Sequence, residues 1–132
     1  MTDNRAFIAS VDAFRNKTLD QMKRVVQQSA QDITRLAQSP VAQGGNLPVD
    51  TGFLRNSLVS SLNGTDVGKG ADSVTLAIAG YEIGDVISIA WTADYAIKRH
   101  YAVGQGQGGG LWRDRAAQQW GRIVEQNARA VQ

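Results

Sequence analysis

The chain has 132 residues and a formal net charge of +2, with no cysteine, one histidine and fourteen glycines. This length makes one domain, 1–132, large enough to bury an ordinary apolar core. Zero cysteine excludes disulfides, thiolate metal sites and thiol nucleophiles, and a lone histidine excludes multi-histidine metal centres.

Hydrophobic residues at 42% and charged residues at 20% place the chain outside the disordered range. No apolar run reaches the length of a membrane span, and Met1 to Arg5 carries an acid and lacks the apolar core of an export signal. A soluble globule without membrane contact is the expectation. The sequence pI of about 9.2 raises the question of nucleic acid, but the excess charge is small against the basic stripes of such binders. Charge is segregated instead. Residues 1–40 hold six Lys/Arg against four Asp/Glu, residues 41–92 two against five, and residues 93–132 six against three. A basic, acidic, basic layout can create complementary patches between copies of one chain.

No glycine precedes Gly44 and no proline precedes Pro40, so residues 1–39 read as one long helix. Apolar or small residues recur at Phe7, Val11, Phe14, Thr18, Met22, Val25, Ser29, Ile33 and Leu36, flanked by Ile8, Leu19, Ala30 and Ala37. That spacing repeats every eleven residues, close to a straight helix, so the stripe stays on one side. At 1.5 Å per residue the element is longer than a small globule needs, and it should project or lie against a neighbour.

Residues 40–57 read as a loop and a short helical turn. Asp50 is suited to cap that turn, Gly52 relaxes the backbone, and Phe53 and Leu54 can bury beneath it. Residues 58–92 read as antiparallel strands at Leu58 to Leu62, Ser73 to Ala79 and Val86 to Thr92, the alternation being clearest in Val74/Leu76/Ile78 and Ile87/Ile89/Trp91. Asn63 to Gly70 reads as a long mobile connection between them. Residues 93–103 read as a helix, 104–110 as a flexible glycine loop, and 111–132 as a C-terminal helix with Trp112, Ala116, Trp120, Ile123 and Asn127 at helical spacing. The fold class is α+β: a long N-terminal helix, a small antiparallel sheet of three or four strands, a short helix and a C-terminal helix.

No catalytic, cofactor-binding or metal-binding residue emerges. Gly104, Gly106 and Gly109 approximate a dinucleotide fingerprint, but a helix precedes them where a strand is required. His100 is expected to be an ordinary, partly exposed side chain, and Asp94, six residues earlier, falls on another helix face. Asp66, Asp72, Glu82 and Asp85 lie in glycine-rich connections without EF-hand spacing and read as solvated turn residues. Arg113, Arg115, Arg122 and Arg129 beside Trp112 and Trp120 offer the alternative of a small basic DNA-binding protein. The tryptophans share the apolar stripe, which favours core or interface over base stacking.

Pro48-Val49-Asp50-Thr51-Gly52-Phe53-Leu54-Arg55-Asn56-Ser57 resembles the P-x-D-T-G-x-L-R-x-S signature of a tail-completion, or neck, family of long-tailed bacteriophages. Tyr95-Ala96 with Gly104 resembles the family's Y-A-x-x-x-E-x-G segment, Arg99, His100 and Tyr101 standing around its acid. The glycine loop and Trp112 to Trp120 resemble its closing segment. The motif residues are Pro48, Asp50, Thr51, Gly52, Leu54, Arg55, Ser57, Tyr95, Ala96 and Gly104. The resemblance implies a non-enzymatic structural subunit, located in the virion after assembly in the host bacterial cytoplasm. It implies a homo-oligomeric ring, a hexamer being one option, that completes or terminates the tail tube. The partners implied are the tail tube protein and the head-closure or connector protein, with no sequence-specific nucleic acid. In that setting Asp50 and Arg55 would cap and pair inside the subunit. Gly106, Gly108, Gly109, Trp112, Arg115, Arg122 and Arg129 would be candidates for contacts between subunits.

Overall fold

A computed structural model describes residues 5–49, 52–106 and 108–131. Helix α1 (Arg5–Ala37) is followed by α2 (Phe53–Asn56), β1 (Leu58–Leu62), β2 (Thr65–Lys69), α3 (Val74–Ala79), β3 (Ile87–Trp91), α4 (Ala96–Tyr101), α5 (Trp112–Ala117) and α6 (Trp120–Ala130). The architecture is α+β, with a three-stranded antiparallel sheet in the order β2-β1-β3.

Without an interior breaker, α1 runs about 50 Å by helical rise. It ends where Gln38 N–H still donates to Thr34 O (2.9 Å) and Pro40 cannot continue the ladder. The inner half packs on α3, α5 and α6. Its buried side comprises Ser29, Ala30, Thr34, Ala37 and Gln38. This corrects the sequence expectation: the buried face is turned toward the flanking small residues, and Leu36 of the eleven-residue stripe stays 39% exposed. Small side chains let the neighbouring helices approach closely, which the larger stripe residues would prevent.

Strands β1 and β3 form where expected, but two neighbouring assignments are corrected. Residues 73–79 are not a strand: Val74–Ala79 is helix α3, with Val74 and Ala77 buried three apart against the sheet. Six residues are too few for periodicity to separate the two states. The supposed mobile connection instead contains β2, joined to β1 by Asn63-Gly64, both at positive φ (54° and 83°), the hairpin turn that matches strand twist. Behind the sheet, Ser60 and Ser73 share a buried hydroxyl hydrogen bond of 2.9 Å.

The C-terminal segment is also corrected. It is two helices, α5 and α6, separated at Gln118-Gln119, and both pack on α1. Asn127 of α6 donates to Ser29 Oγ (3.1 Å) and Asp32 Oδ2 (3.0 Å), and Ile123 is buried. The apolar cluster comprises Leu47, Leu54, Ala93, Ala96 and Trp112, with Trp91 against it.

Candidate functional site

The residues of the first motif build a strut between α1 and the sheet. Asp50 and Thr51, and with them the expected Asp50 cap, lie outside the described residues. Pro48 and Leu54 are buried, and Gly52 opens α2 at φ 83°, a left-handed conformation that favours glycine. Ser57 Oγ donates to Leu54 O (2.7 Å), closing α2, and Thr92 N–H and Oγ1 both donate to Ser57 O (3.0 and 2.8 Å).

Arg55 reaches the end of α1, where its Nε donates to Gln38 O (3.2 Å). Gln38 completes the joint: its Nε2 donates to Arg55 O (2.9 Å), and its Oε1 accepts from Trp91 Nε1 (2.7 Å). One buried glutamine therefore ties α1, α2 and β3 together. No periodic signal singles it out, since it lies just past the apolar stripe.

The second motif and the glycine loop are joined by Arg99. Its guanidinium donates to Ala102 O (2.9 Å), Gln105 O (2.7 Å) and Gly108 O. Gly104 N–H donates to Gly109 O (2.9 Å), and Gly110 N–H to Asn46 O (2.8 Å). The expectation of a flexible loop is thereby corrected for 104–106 and 108–110, which are gathered onto a cation and the 40–47 turn. Gly109 packs closely inside the subunit: a Cβ there would stand 2.5 Å from Asn46 O and 2.6 Å from Val41 Cγ2. Gly108 faces Val41, while Gly106 is exposed. Tyr95 is 44% exposed with its ring 6.1 Å from Phe53, and Ala96 is buried in the core.

Trp112, proposed as a subunit contact, is 2% exposed and belongs to the core. Trp120 is 40% exposed, so the helix break separates two tryptophans that an unbroken helix would align. The same break divides the arginine stripe. Arg115 donates to Asn46 Oδ1 (2.7 Å), Arg122 to Gln119 Oε1 (2.9 Å) and Gln126 Oε1 (3.3 Å), and Arg129 pairs with Glu125. These arginines remain exposed, with partners from their own subunit.

His100 is the largest departure from expectation: it is 4% exposed, not partly exposed. Its ring lies edge-on to Trp112 (4.8 Å) and Tyr101 (4.7 Å). Neither ring nitrogen, nor Trp112 Nε1, has a hydrogen-bond partner among the described residues. Burial pushes the imidazole pKa below its ordinary value, against the pull of Asp114 3.9 Å away and aided by Arg113.

The acids of the connections are placed within the subunit, the partner of Glu82 lying on α1 and the group used at Asp72 being its main-chain carbonyl. Asp66 accepts from Ser61 Oγ (2.7 Å), Glu82 pairs with Lys23 (3.0 Å), and Asp72 O accepts from Thr75 Oγ1 (2.9 Å). Asp85 accepts from Asn63 Nδ2 (3.0 Å) and Glu82 N–H (2.9 Å), which hold its carboxyl below the ordinary value. Among the described residues no group of three or more His, Asp or Glu could hold a metal ion. No described helix is long and apolar enough to cross a membrane.

An exposed apolar surface lies on the outer half of α1. Residues 5–17 lie beyond the helices that pack on its inner half, an overhang of about 20 Å. Its Ile8, Val11 and Phe14 are 56%, 49% and 72% exposed, and Met22 continues the surface at 50%. No protein-family model, curated protein or solved structure matches the chain.

Proposed function

We propose that the chain is a structural subunit of a bacteriophage neck or tail end, forming a homo-oligomeric ring that completes the tail tube and meets the head-closure complex. The observation that carries this reading is the apolar overhang of α1. An isolated subunit leaves Ile8, Val11 and Phe14 in water, and each side chain of this size contributes about 1.5 to 3 kcal/mol when fully buried. A contiguous apolar surface of this kind marks an association site. Contact between the arm of one copy and a different surface of the next is heterologous, and such contacts form a ring when the rotation between copies closes. The strut built by Pro48, Gly52, Leu54, Arg55 and Ser57 supports the reading from a second side, because it fixes the arm to the sheet and so fixes the angle at which the arm is presented.

Electron microscopy of purified particles with the chain labelled tests this role. Ring-shaped label at the head–tail junction is the expected result. A chain absent from purified particles and monomeric at every concentration would overturn it.

A further inference from the structure

A second surface, on the far side of the sheet from β2, has the marks of a strand-docking site. In the β1/β3 ladder, Thr92 N–H donates to Ser57 O and Asn63 N–H donates to Val86 O, with Val59 opposite Ala90 and Ser61 opposite Ser88. Hydrogen-bonded and non-hydrogen-bonded pairs alternate in an antiparallel ladder. The N–H and C=O groups of Ile87, Ile89 and Trp91 therefore point away from β1, and they have no backbone partner among the described residues.

The two sheet edges are built differently. At β2 the pairing shifts at a bulge opposite Ser60/Ser61, and exposed Asp66 and Lys69 break its apolar character, as in edges protected from pairing. The β3 edge, Ile-Ser-Ile-Ala-Trp, has regular register and carries no charge, proline or bulge. It spans about 13 Å, enough for a short strand.

Two apolar grooves flank this edge and share Ile89. One, of about 300 Å³, is lined by Val26, Ile33, Tyr81, Val86 and Trp120 beside Ile87. The other, of about 160 Å³, lies between Trp91, α4 and α5 and is lined by Ile97, His100, Trp112 and Arg113. His100 and Trp112, whose buried ring nitrogens have no hydrogen-bond partner among the described residues, line this second groove. An indole N–H is only a donor, so what completes it is an acceptor such as a peptide carbonyl or a carboxylate. Charge differs between the grooves as well: Arg113 stands at the second, and Asp85 lines the first.

We propose that the open edge of β3 accepts an extended segment of another protein as a fourth strand. Its apolar side chains, at every second position, fill the two grooves, with a carboxylate at the Arg113 end and a cation at the Asp85 end. Main-chain pairing supplies affinity, and the grooves select the side chains. The β2 edge of a second copy is a poor occupant, being bulged and charged, and self-pairing of two β3 edges would show as exchange protection that grows with protein concentration. The inference does not depend on the arm of α1 or on the neck assignment.

The test is selection from a displayed library of short peptides with Val, Ile or Leu fixed at alternate positions, followed by amide exchange on the protein with the enriched peptide. Enriched peptides are expected to carry Asp or Glu at one end, and to slow exchange at Ile87, Ile89 and Trp91 at least about tenfold. Ile87→Pro removes one outward N–H at the first strand position, where proline is tolerated, and should abolish binding. Arg113→Glu, at an exposed side chain, should weaken binding about tenfold without touching the ladder. No enrichment, binding without slowed exchange at these amides, or equal binding of peptides N-methylated on the pairing edge would overturn the proposal. Slowed exchange in the protein alone that grows with concentration would assign the edge to a second copy and overturn it too.

Discussion

The two halves of α1 invert the usual placement of side chains. The inner half buries Ser29, Ala30, Thr34, Ala37 and Gln38, small or polar residues, while the outer half holds Ile8, Val11 and Phe14 in solvent. Inside the subunit, close helix approach and hydrogen bonding decide which side chains fit: Thr34 Oγ1 returns to Ala30 O (2.8 Å), and Gln38 ties three elements. Outside, among the described residues, the large side chains of Ile8, Val11 and Phe14 stay exposed to solvent by 49% or more. A single helix thus carries a folding half and an association half, and substitutions in the two should have opposite signatures.

The largest loss of stability is expected where the folding half meets the core. Trp112→Ala removes the ring against which Trp91 and His100 pack and should cost about 3 to 5 kcal/mol in denaturant unfolding. Gln38→Ala leaves the indole N–H of Trp91 and the C=O of Arg55 without their partner, and should cost about 1 to 3 kcal/mol. A loss under half a kcal/mol, with α1 still fixed to the sheet, would show that the joint is incidental.

A smaller effect should appear with pH. The buried His100 binds its proton less readily folded than unfolded, so its contribution is complete above the ordinary pKa of 6.5 and is lost as pH falls below it. The slope from this one proton is at most about 1.4 kcal/mol per pH unit, and His100→Gln should remove it. Unfolding midpoints measured from neutral to mildly acidic pH, for both proteins, check the sign. The smallest stability change belongs to the association half: Phe14→Ser, on an exposed face, should stay within about 0.5 kcal/mol.

These contrasts also separate what the sequence made legible from what it did not. The long helix was legible because Gly and Pro are excluded before Pro40, and β1 and β3 because their apolar runs are short and bounded by turn residues. Helix α3 was not, because Val74, Leu76 and Ile78 satisfy alternation while Val74 and Ala77 satisfy the helical period, and only packing against the sheet decides. Strand β2 has almost no strand character in Thr-Asp-Val-Gly-Lys, and the readable signal was the Asn63-Gly64 turn before it. The break at Gln118-Gln119 involves neither glycine nor proline, so Trp112 and Trp120 were aligned on one stripe that the structure divides.

At the candidate site, the motif marked the strut without revealing its partners. Arg55 meets the main chain of Gln38, seventeen positions away, through a contact no local pattern encodes. Arg99 likewise stands in the sequence only beside the place of the second segment's acid, and its role in gathering the glycine loop depends on the loop's carbonyls turning inward. His100 is buried because Trp112 returns over it from beyond that loop, a non-local event.

Sedimentation equilibrium of the parent chain and of Phe14→Ser, compared from micromolar to millimolar concentration, tests the division of α1 most directly. The account predicts that the parent mass rises above 14.2 kDa with concentration, while the variant stays at the monomer mass with an unchanged unfolding midpoint. Two proteins that remain monomeric throughout, or that associate equally, would contradict it.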